Sequence, residues 1–437
     1  MNNHRLLTGL LSAILLSGGV CANAQEIVTL EEIFAIAEAN SAQLRPALTA
    51  CDEAEHEISV ARSSRLPEIT ATLTASYIGD GFTTQRDFTD YQRAPIPHLG
   101  TGVGISIEQP VYTGGAITAS IEMAEMKSAA SRFAADLKRD NIRFRLAGYY
   151  LDIHRYENLL SVMNSNIASA KHVLADMKAR YEQGLVLLND ITRYELLVSN
   201  LELQRTKIIN TIEILNHDLV MTAGLPETTV IRTDTTILER SLPLAGEEEW
   251  RQKAEENSPV LALARNGIEI SRRGEALAKS ERLPKIGIQA AWTLDGPILV
   301  EIPPINRNLS YWYVGVGVSY NLSSLYKTNK KLSVSRAATG KSVEELAAAV
   351  EETDLAVRAD HIRYLEAYDE LRTRQKGVEL ADRNYRTIAT RYTQGMALIT
   401  EMLDAADARL LAEQQLVDSR INIIYQYYKL LFTTGTI

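Results

Sequence analysis

The chain has 437 residues, with 46 Lys plus Arg against 55 Asp plus Glu and a formal net charge of -9, a balance that argues against a nucleic-acid partner. Its 12 Pro and 24 Gly are few for the length and cluster in a handful of places, so the composition predicts long uninterrupted helices. Two cysteines, one of them close to the N-terminus, exclude a disulfide framework.

Residues 1–24 carry Arg5, an apolar run from Leu6 to Leu16, and Ala22-Asn23-Ala24 ahead of Gln25, the pattern of a secretory signal with a small-residue cleavage site. Gly18 and Val20 stand where a lipid-attachment site at Cys21 would want Leu and a small residue, so lipidation is not expected. After residue 24 no run of 18 apolar residues occurs, and no transmembrane helix is predicted. Thr29 with Glu32 three residues on forms a capping box, and a helical pattern then runs to about Ser64, with Cys51 as a small packing residue. Leu66-Pro67 ends it. Ile69, Ala71, Leu73, Ala75 and Tyr77 then alternate with Thr70, Thr72, Thr74 and Ser76, and after a polar loop from Gly79 to about Leu99 the return strand alternates Val103, Ile105 and Ile107 with Gly104, Ser106 and Glu108. Together they make a two-faced β-hairpin over 66–113.

A long helix follows from about Ala116 to Gln183. Its residues Ile142, Leu146, Tyr149, Ile153, Tyr156, Leu160, Met163, Ile167, Ala170, Leu174, Met177 and Tyr181 alternate four- and three-residue spacings, a coiled-coil seam. It stops at Arg180-Tyr181-Glu182-Gln183-Gly184-Leu185, a stretch that runs on to Asp190. Gly184 suits the left-handed residue that closes a helix, and Asn189 can cap the next. That next helix, 189 to 223, offers Ile191, Tyr194, Val198, Leu201, Ile208, Ile212, Leu215 and Leu219 as the partner of the seam, so 180–190 reads as the tip of a helical hairpin. The helix stops at Gly224-Leu225-Pro226, and a Thr-rich linker leads to another helix from 247 to 282.

The second half repeats this order. Asn40-Ser41 with Leu44 recurs as Asn257-Ser258 with Leu261, and Arg65-Leu66-Pro67 with Ile69 recurs as Arg282-Leu283-Pro284 with Ile286, both 217 residues on. Tyr181 and Gly184 recur as Tyr392 and Gly395, 211 residues on. The six-residue difference falls between the strands, in a shorter second loop with Pro297 and Pro303-Pro304. A second β-hairpin is expected over 283–323, a second long helix over 324–394, and a second tip over 391–401, Arg391-Tyr392-Thr393-Gln394-Gly395-Met396 to Glu401, where Thr400 can cap the last helix. The chain therefore reads as a first repeat over 25–240 and a second over 241–437, mainly α with a small β part. The two long helices would each span roughly 100 Å.

Four amphipathic strands suit lipid on one face and water on the other, but four strands cannot close a barrel. An open edge cannot face hydrocarbon, where each unpaired backbone group costs several kcal/mol, so strands that enter a membrane must be pooled between subunits. A soluble sheet packed on a core is the alternative, though it leaves the long helices without a role. No enzyme motif is present: the seven His are scattered, and there is no phosphate loop, no dinucleotide fingerprint and no nucleophile elbow. No catalytic residue, cofactor or metal site is assigned.

With the duplicated strand pair and the two tips, the chain resembles TolC-type outer-membrane channels, the outer-membrane factors of tripartite efflux and type I secretion systems. The resemblance covers residues 25–437 and implies a homotrimer in the cell outer membrane. Four strands per subunit would complete a 12-stranded β-barrel, and the long hairpins would form an α-barrel in the periplasm. It implies a periplasmic adaptor protein that meets the tips at Gly184, Leu185, Gly395 and Met396, and an inner-membrane pump of RND or ABC type. It also implies a gate at the periplasmic end, with Glu401 and Asp404 lining the opening and Tyr392 latched to Asp190; Ala397 stands where some relatives place an Arg of that latch. A periplasmic coiled-coil adaptor or scaffold is the competing reading, although an adaptor would carry one hairpin flanked by compact β domains rather than two of each.

Overall fold

The computed structural model describes residues 27–234, 242–301 and 304–437. The expected signal segment 1–24 with Cys21, the expected boundary between the repeats at 240/241, and Pro303 lie outside the described residues. In chain order the elements are β1 (Ile27–Val28), α1 (Leu30–Asn40), α2 (Arg45–Ser63), β2 (Glu68–Tyr77), β3 (Gly81–Thr83), β4 (Gln92–Ala94), β5 (Leu99–Tyr112) and α3 (Ala116–Glu182), followed by α4 (Leu188–Ala223), β6 (Arg232–Thr233), α5 (Glu247–Asn257), α6 (Pro259–Ser280), β7 (Lys285–Gly296), β8 (Leu309–Ser319), α7 (Ser324–Thr393) and α8 (Ile399–Thr434).

The long helices fall where the spacing places them, and the departures have local causes. The helix expected from Thr29 to Ser64 is two helices. Thr29 does cap α1, its N–H donating to Glu32 Oε2 at 2.8 Å while the Glu32 N–H donates to Thr29 Oγ1 at 3.3 Å. Ser41 is then buried and extended (φ -60°, ψ 119°) and ends α1. The helix expected from 247 to 282 breaks at the matching place, Ser258 (φ -62°, ψ 118°), because a residue before proline is pushed out of the helical region and Pro259 is well suited to start α6. The loop 79–99 holds a small hairpin, β3 against β4, with Phe82 stacked on Tyr91 at 4.6 Å. The linker after α4 contributes β6, which pairs in parallel with β1; two-residue strands leave no periodicity to read.

The chain divides into two compact units, and neither is a sequence half. One comprises Pro46–Leu137 and Ser258–Thr353; the other comprises the chain through Arg45, Lys138–Asn257 and Asp354–Ile437. Each draws on both halves of the sequence.

The first unit holds both β-hairpins as one antiparallel sheet in the order β2-β5-β7-β8. Ile69 lies opposite Ile107 and Thr72 opposite Gly104 in β2–β5; Ile105 lies opposite Trp292 in β5–β7; Trp292 lies opposite Trp312 in β7–β8. The register of β5–β7 shifts between Pro110 and Tyr112, where proline offers no N–H to the ladder. One face gathers Leu73, Ile105, Ile107, Trp292, Trp312, Val314, Val316 and Val318, all exposed; the other carries the Thr, Ser, Gly and Gln positions that alternate with them. Among the described residues, β2 and β8 each have one unpaired edge. No described helix is long and apolar enough to cross a membrane, a statement that does not bear on strands.

The second unit is built from coiled-coil seams. Along α3, Ile142, Leu146, Ile153, Met163, Ile167, Ala170 and Met177 are buried, and along α4, Ile191, Tyr194, Val198, Leu201, Ile208 and Leu219. They fall in two clusters, one around Leu146, Tyr150, Leu219 and Ile424, the other around Met163, Tyr194, Leu201 and Met402. A third cluster joins Trp250 of α5 to Val357, Tyr364, Ile423 and Leu430. Tyr150 ties the first cluster to the strand pair, its hydroxyl donating to Val28 O at 2.8 Å and accepting from the Asp234 N–H at 2.6 Å.

Helix α4 ends on Gly224 in the left-handed region (φ 75°). A Cβ there would lie 2.5 Å from the Asn40 carbonyl oxygen, whereas a Cβ on Gly184, also left-handed, would meet nothing within 4 Å. Gly184→Ala is therefore expected to cost about 1–2 kcal/mol, the left-handed penalty alone. Gly224→Ala should cost about 3 kcal/mol or more, because rigid backbone must also move. Paired denaturant titrations in detergent check this; equal losses would reject it.

Candidate functional site

The two tips are built identically from the backbone up. At the first, Gly184 has φ 74°, its N–H donating to Tyr181 O at 2.8 Å and the Leu185 N–H to Arg180 O at 3.0 Å; at the second, Gly395 has φ 74°, its N–H donating to Tyr392 O at 3.0 Å and the Met396 N–H to Arg391 O at 2.8 Å. These paired bonds satisfy carbonyls that a helix end would otherwise leave open. Neither glycine has room restrictions for a Cβ, so glycine is called for by φ alone. Beyond them Leu185 and Met396 are 70% and 59% exposed, and Leu187 and Leu398 both 69%. Each tip therefore presents bare backbone and two apolar side chains to its surroundings.

The helix starts differ from the sequence expectation. The N-caps are Leu187 and Leu398, in extended conformation, without side-chain caps; Asn189 and Thr400 lie inside the first turn. At the second tip the Leu398 N–H donates to Glu401 Oε2 at 2.8 Å, so the carboxylate at the third helical position does what a cap would have done. Asp190 holds the same position at the first tip but is one methylene shorter. Its charge acts on Tyr392.

Tyr392 is half-buried, and burial first, then the Asp190 charge, push its hydroxyl above its ordinary range. No hydrogen bond joins the two: among the described residues the Tyr392 hydroxyl is a buried oxygen without a partner. The bond that does tie the tips comes from Arg180, whose Nη1 donates to Thr393 O at 2.7 Å while its Nε pairs with Asp176 at 2.8 Å. Arg180 stood in the sequence motif without a role; the signal that could have assigned one is Asp176, four residues earlier on the same helix face.

Carboxylates line the start of α8. Glu401 and Asp404 are exposed. Asp407, which the sequence reading did not single out, has its carboxyl pushed up by burial and by the charge of Asp404. Deeper in, Arg155 sits 3.0 Å from Asp152 and 3.7 Å from Asp418. Burial nonetheless raises both carboxyls above the ordinary aspartate range. Tyr194 is raised too, by burial and by its neighbours Tyr385 and Tyr392. Among the described residues no three His, Cys, Asp or Glu side chains are grouped to hold a metal ion.

The sequence profile of the family described as Outer membrane efflux protein matches residues 34–198 and 250–436. The outer membrane protein TolC of Vibrio cholerae is 23% identical over 428 residues, 96% of this chain and 93% of that protein. Among solved structures, the outer-membrane channel OprN superposes with a TM-score of 0.76 at 15% identity, covering 93% of this chain and 90% of its own. The outer membrane protein VceC of Vibrio cholerae gives 0.76 at 14% identity, covering 93% and 96%. The open state of the Neisseria gonorrhoeae MtrE outer membrane channel gives 0.71 at 15% identity, covering 93% and 88%.

Proposed function

Because the chain belongs to the outer membrane efflux protein family, we propose that this outer-membrane protein is a homotrimeric channel, the passive exit duct of a tripartite efflux or type I secretion system. The observation that carries the reading is the four-stranded sheet, apolar on one face and polar on the other, with both edges unpaired. Such edges are tolerated next to lipid only when another copy pairs with them. Three copies supply twelve strands, polar faces inward around water.

In this reading the tips are the periplasmic end. Gly184, Leu185, Gly395 and Met396 offer bare backbone and apolar side chains to the helical hairpins of a periplasmic adaptor protein, which couples the duct to an inner-membrane pump of RND or ABC type. Asp190, Tyr392, Glu401 and Asp404 form the gate, with the carboxylates around the opening and the tips drawn together by Arg180. The family match is to an outer-membrane efflux protein and lends nothing to the adaptor alternative. The test is to extract the protein from the outer-membrane fraction and measure its mass in detergent and its conductance in planar bilayers. Three chains per particle and discrete channel openings are expected; a monomer, or a soluble periplasmic species, would end the proposal.

A further inference from the structure

We infer that His154 is an acid-sensitive clasp: it holds the strap formed by β1 and β6 onto α3 and lets it go when the ring takes up a proton. The strap pairs only Ile27 with Arg232 and Val28 with Thr233, a ladder too short to be stable alone. Side chains pin it instead. Tyr150, His154 and Glu157 stand four and three residues apart, on one face of α3. Tyr150 bonds Val28 O and the Asp234 N–H, while His154 and Glu157 both reach Thr233. From α4, Asn216 holds the chain just before β6, its Nδ2 donating to Thr229 O and its Oδ1 accepting from the Ile231 N–H, both at 2.9 Å. Val28 and Ile231 are buried in the first helical cluster, so the strap is a lid on that cluster.

The bonds themselves fix where the protons are. Glu157 Oε2 lies 2.7 Å from the Thr233 hydroxyl, and an ionised carboxylate can only accept. The one hydroxyl hydrogen of Thr233 therefore goes to Glu157, and its Oγ1 is left to accept from His154 Nδ1–H at 2.8 Å. The neutral ring thus carries its proton on Nδ1 and a bare lone pair on Nε2. His154 is 3% exposed, and among the described residues its Nε2 is buried without a hydrogen-bond partner. An unfilled acceptor there is tolerated, but a second N–H bearing positive charge would give up water and find no acceptor.

Burial accordingly holds the imidazole below its ordinary range, against the pull of the Glu157 charge on its own helix and the Asp234 charge on the strap. Glu31, from the start of α1, acts on the neighbouring Tyr150, and Arg232 is exposed on the opposite face of β6. A proton arriving at Nε2 obliges the ring to turn toward a carboxylate or toward water, and either turn breaks the Nδ1–H bond that holds Thr233. His217 of α4 has the opposite sign. It lies 3.8 Å from Glu227 in an ion pair that exists only when the ring is charged, so acid tightens that contact. For His154 the folded value is the lowered one. Its contribution is therefore complete above the ordinary imidazole value of about 6.5 and is lost as pH falls below it toward the folded value.

Hydrogen exchange at the amides of residues 229–234, followed in the full chain in detergent from about pH 7.5 to about pH 5 and corrected for intrinsic exchange rates, tests the clasp. Protection in the unaltered protein is expected to fall with acid by up to about tenfold per pH unit, the limit for one proton. His154→Gln keeps an N–H for Thr233 Oγ1 but cannot titrate, so it should retain the neutral-pH protection and lose the acid response. His154→Phe removes the donor and should leave the strap poorly protected at every pH. His217→Gln should leave the acid response intact. Protection that does not change with pH in the unaltered protein would overturn the inference, as would an acid response that persists in His154→Gln or disappears in His217→Gln. Should the glutamine variant at 154 not fold, the unaltered profile and the His217 variant still decide.

Discussion

Trp250→Ala is expected to destabilise the folded chain by about 3–5 kcal/mol, the range for emptying a large buried aromatic site. Trp250 is 1% exposed, stands edge-on to Tyr427 at 6.2 Å and carries Lys253 over its ring at 4.5 Å. It fills the cluster that joins α5 to α7 and α8 through Val357, Tyr364 and Leu430. Trp250→Phe separates packing from polarity. Among the described residues the buried indole Nε1 has no partner, so phenylalanine gives up no hydrogen bond there and relieves an unsatisfied donor, and its smaller ring should leave a loss of less than about 2 kcal/mol. Denaturant titration of both variants in detergent decides the matter; a phenylalanine variant as damaged as the alanine variant would show that the indole nitrogen is satisfied after all.

Neutralising the carboxylates of the proposed gate should have the largest effect on transport. If Glu401 and Asp404 each occur three times around one opening, like charges at ~6 Å repel by ~3 kcal/mol per pair at an effective dielectric of 20, and a ring of carboxylates favours cations. Glu401→Gln with Asp404→Asn is therefore expected to abolish most of the cation preference measured as reversal potential in planar bilayers, and to weaken block by multivalent cations. The glutamine keeps an oxygen for the Leu398 N–H, so the trimer should survive. Unchanged selectivity would mean that these groups face away from the pore. Acidification offers a second readout. The Asp407 carboxyl is raised by burial and by Asp404, so it takes up its proton at a higher pH than an ordinary aspartate, and selectivity should begin to decline above the ordinary aspartate range. The sign for stability follows: a carboxyl raised in the folded state favours folding at low pH, and that contribution is lost as pH rises through its folded value. Asp407→Asn should remove this early part of the decline.

The sequence by itself determined the long helices, the two strand pairs and the two tips. Seams such as Ile142 to Met177 and alternations such as Ile69 to Tyr77 are periodic over many residues, and a helix or strand is the only local geometry that places such residues on one face. The tip glycines were legible for the same reason, because φ near 74° at Gly184 and Gly395 is a demand of the backbone alone. Short or aperiodic features were not legible: β1 with β6, the hairpin β3–β4, and the helix starts at Leu187 and Leu398. The contacts of the candidate site belong to the tertiary structure altogether. Arg180 finds Thr393, more than two hundred residues away, Asp407 comes under the charge of Asp404, and the Tyr392 hydroxyl is enclosed without a partner among the described residues. The halves of the sequence are likewise not the compact units of the fold, because burial is decided by which helices pack side by side, and packing takes no account of order along the chain.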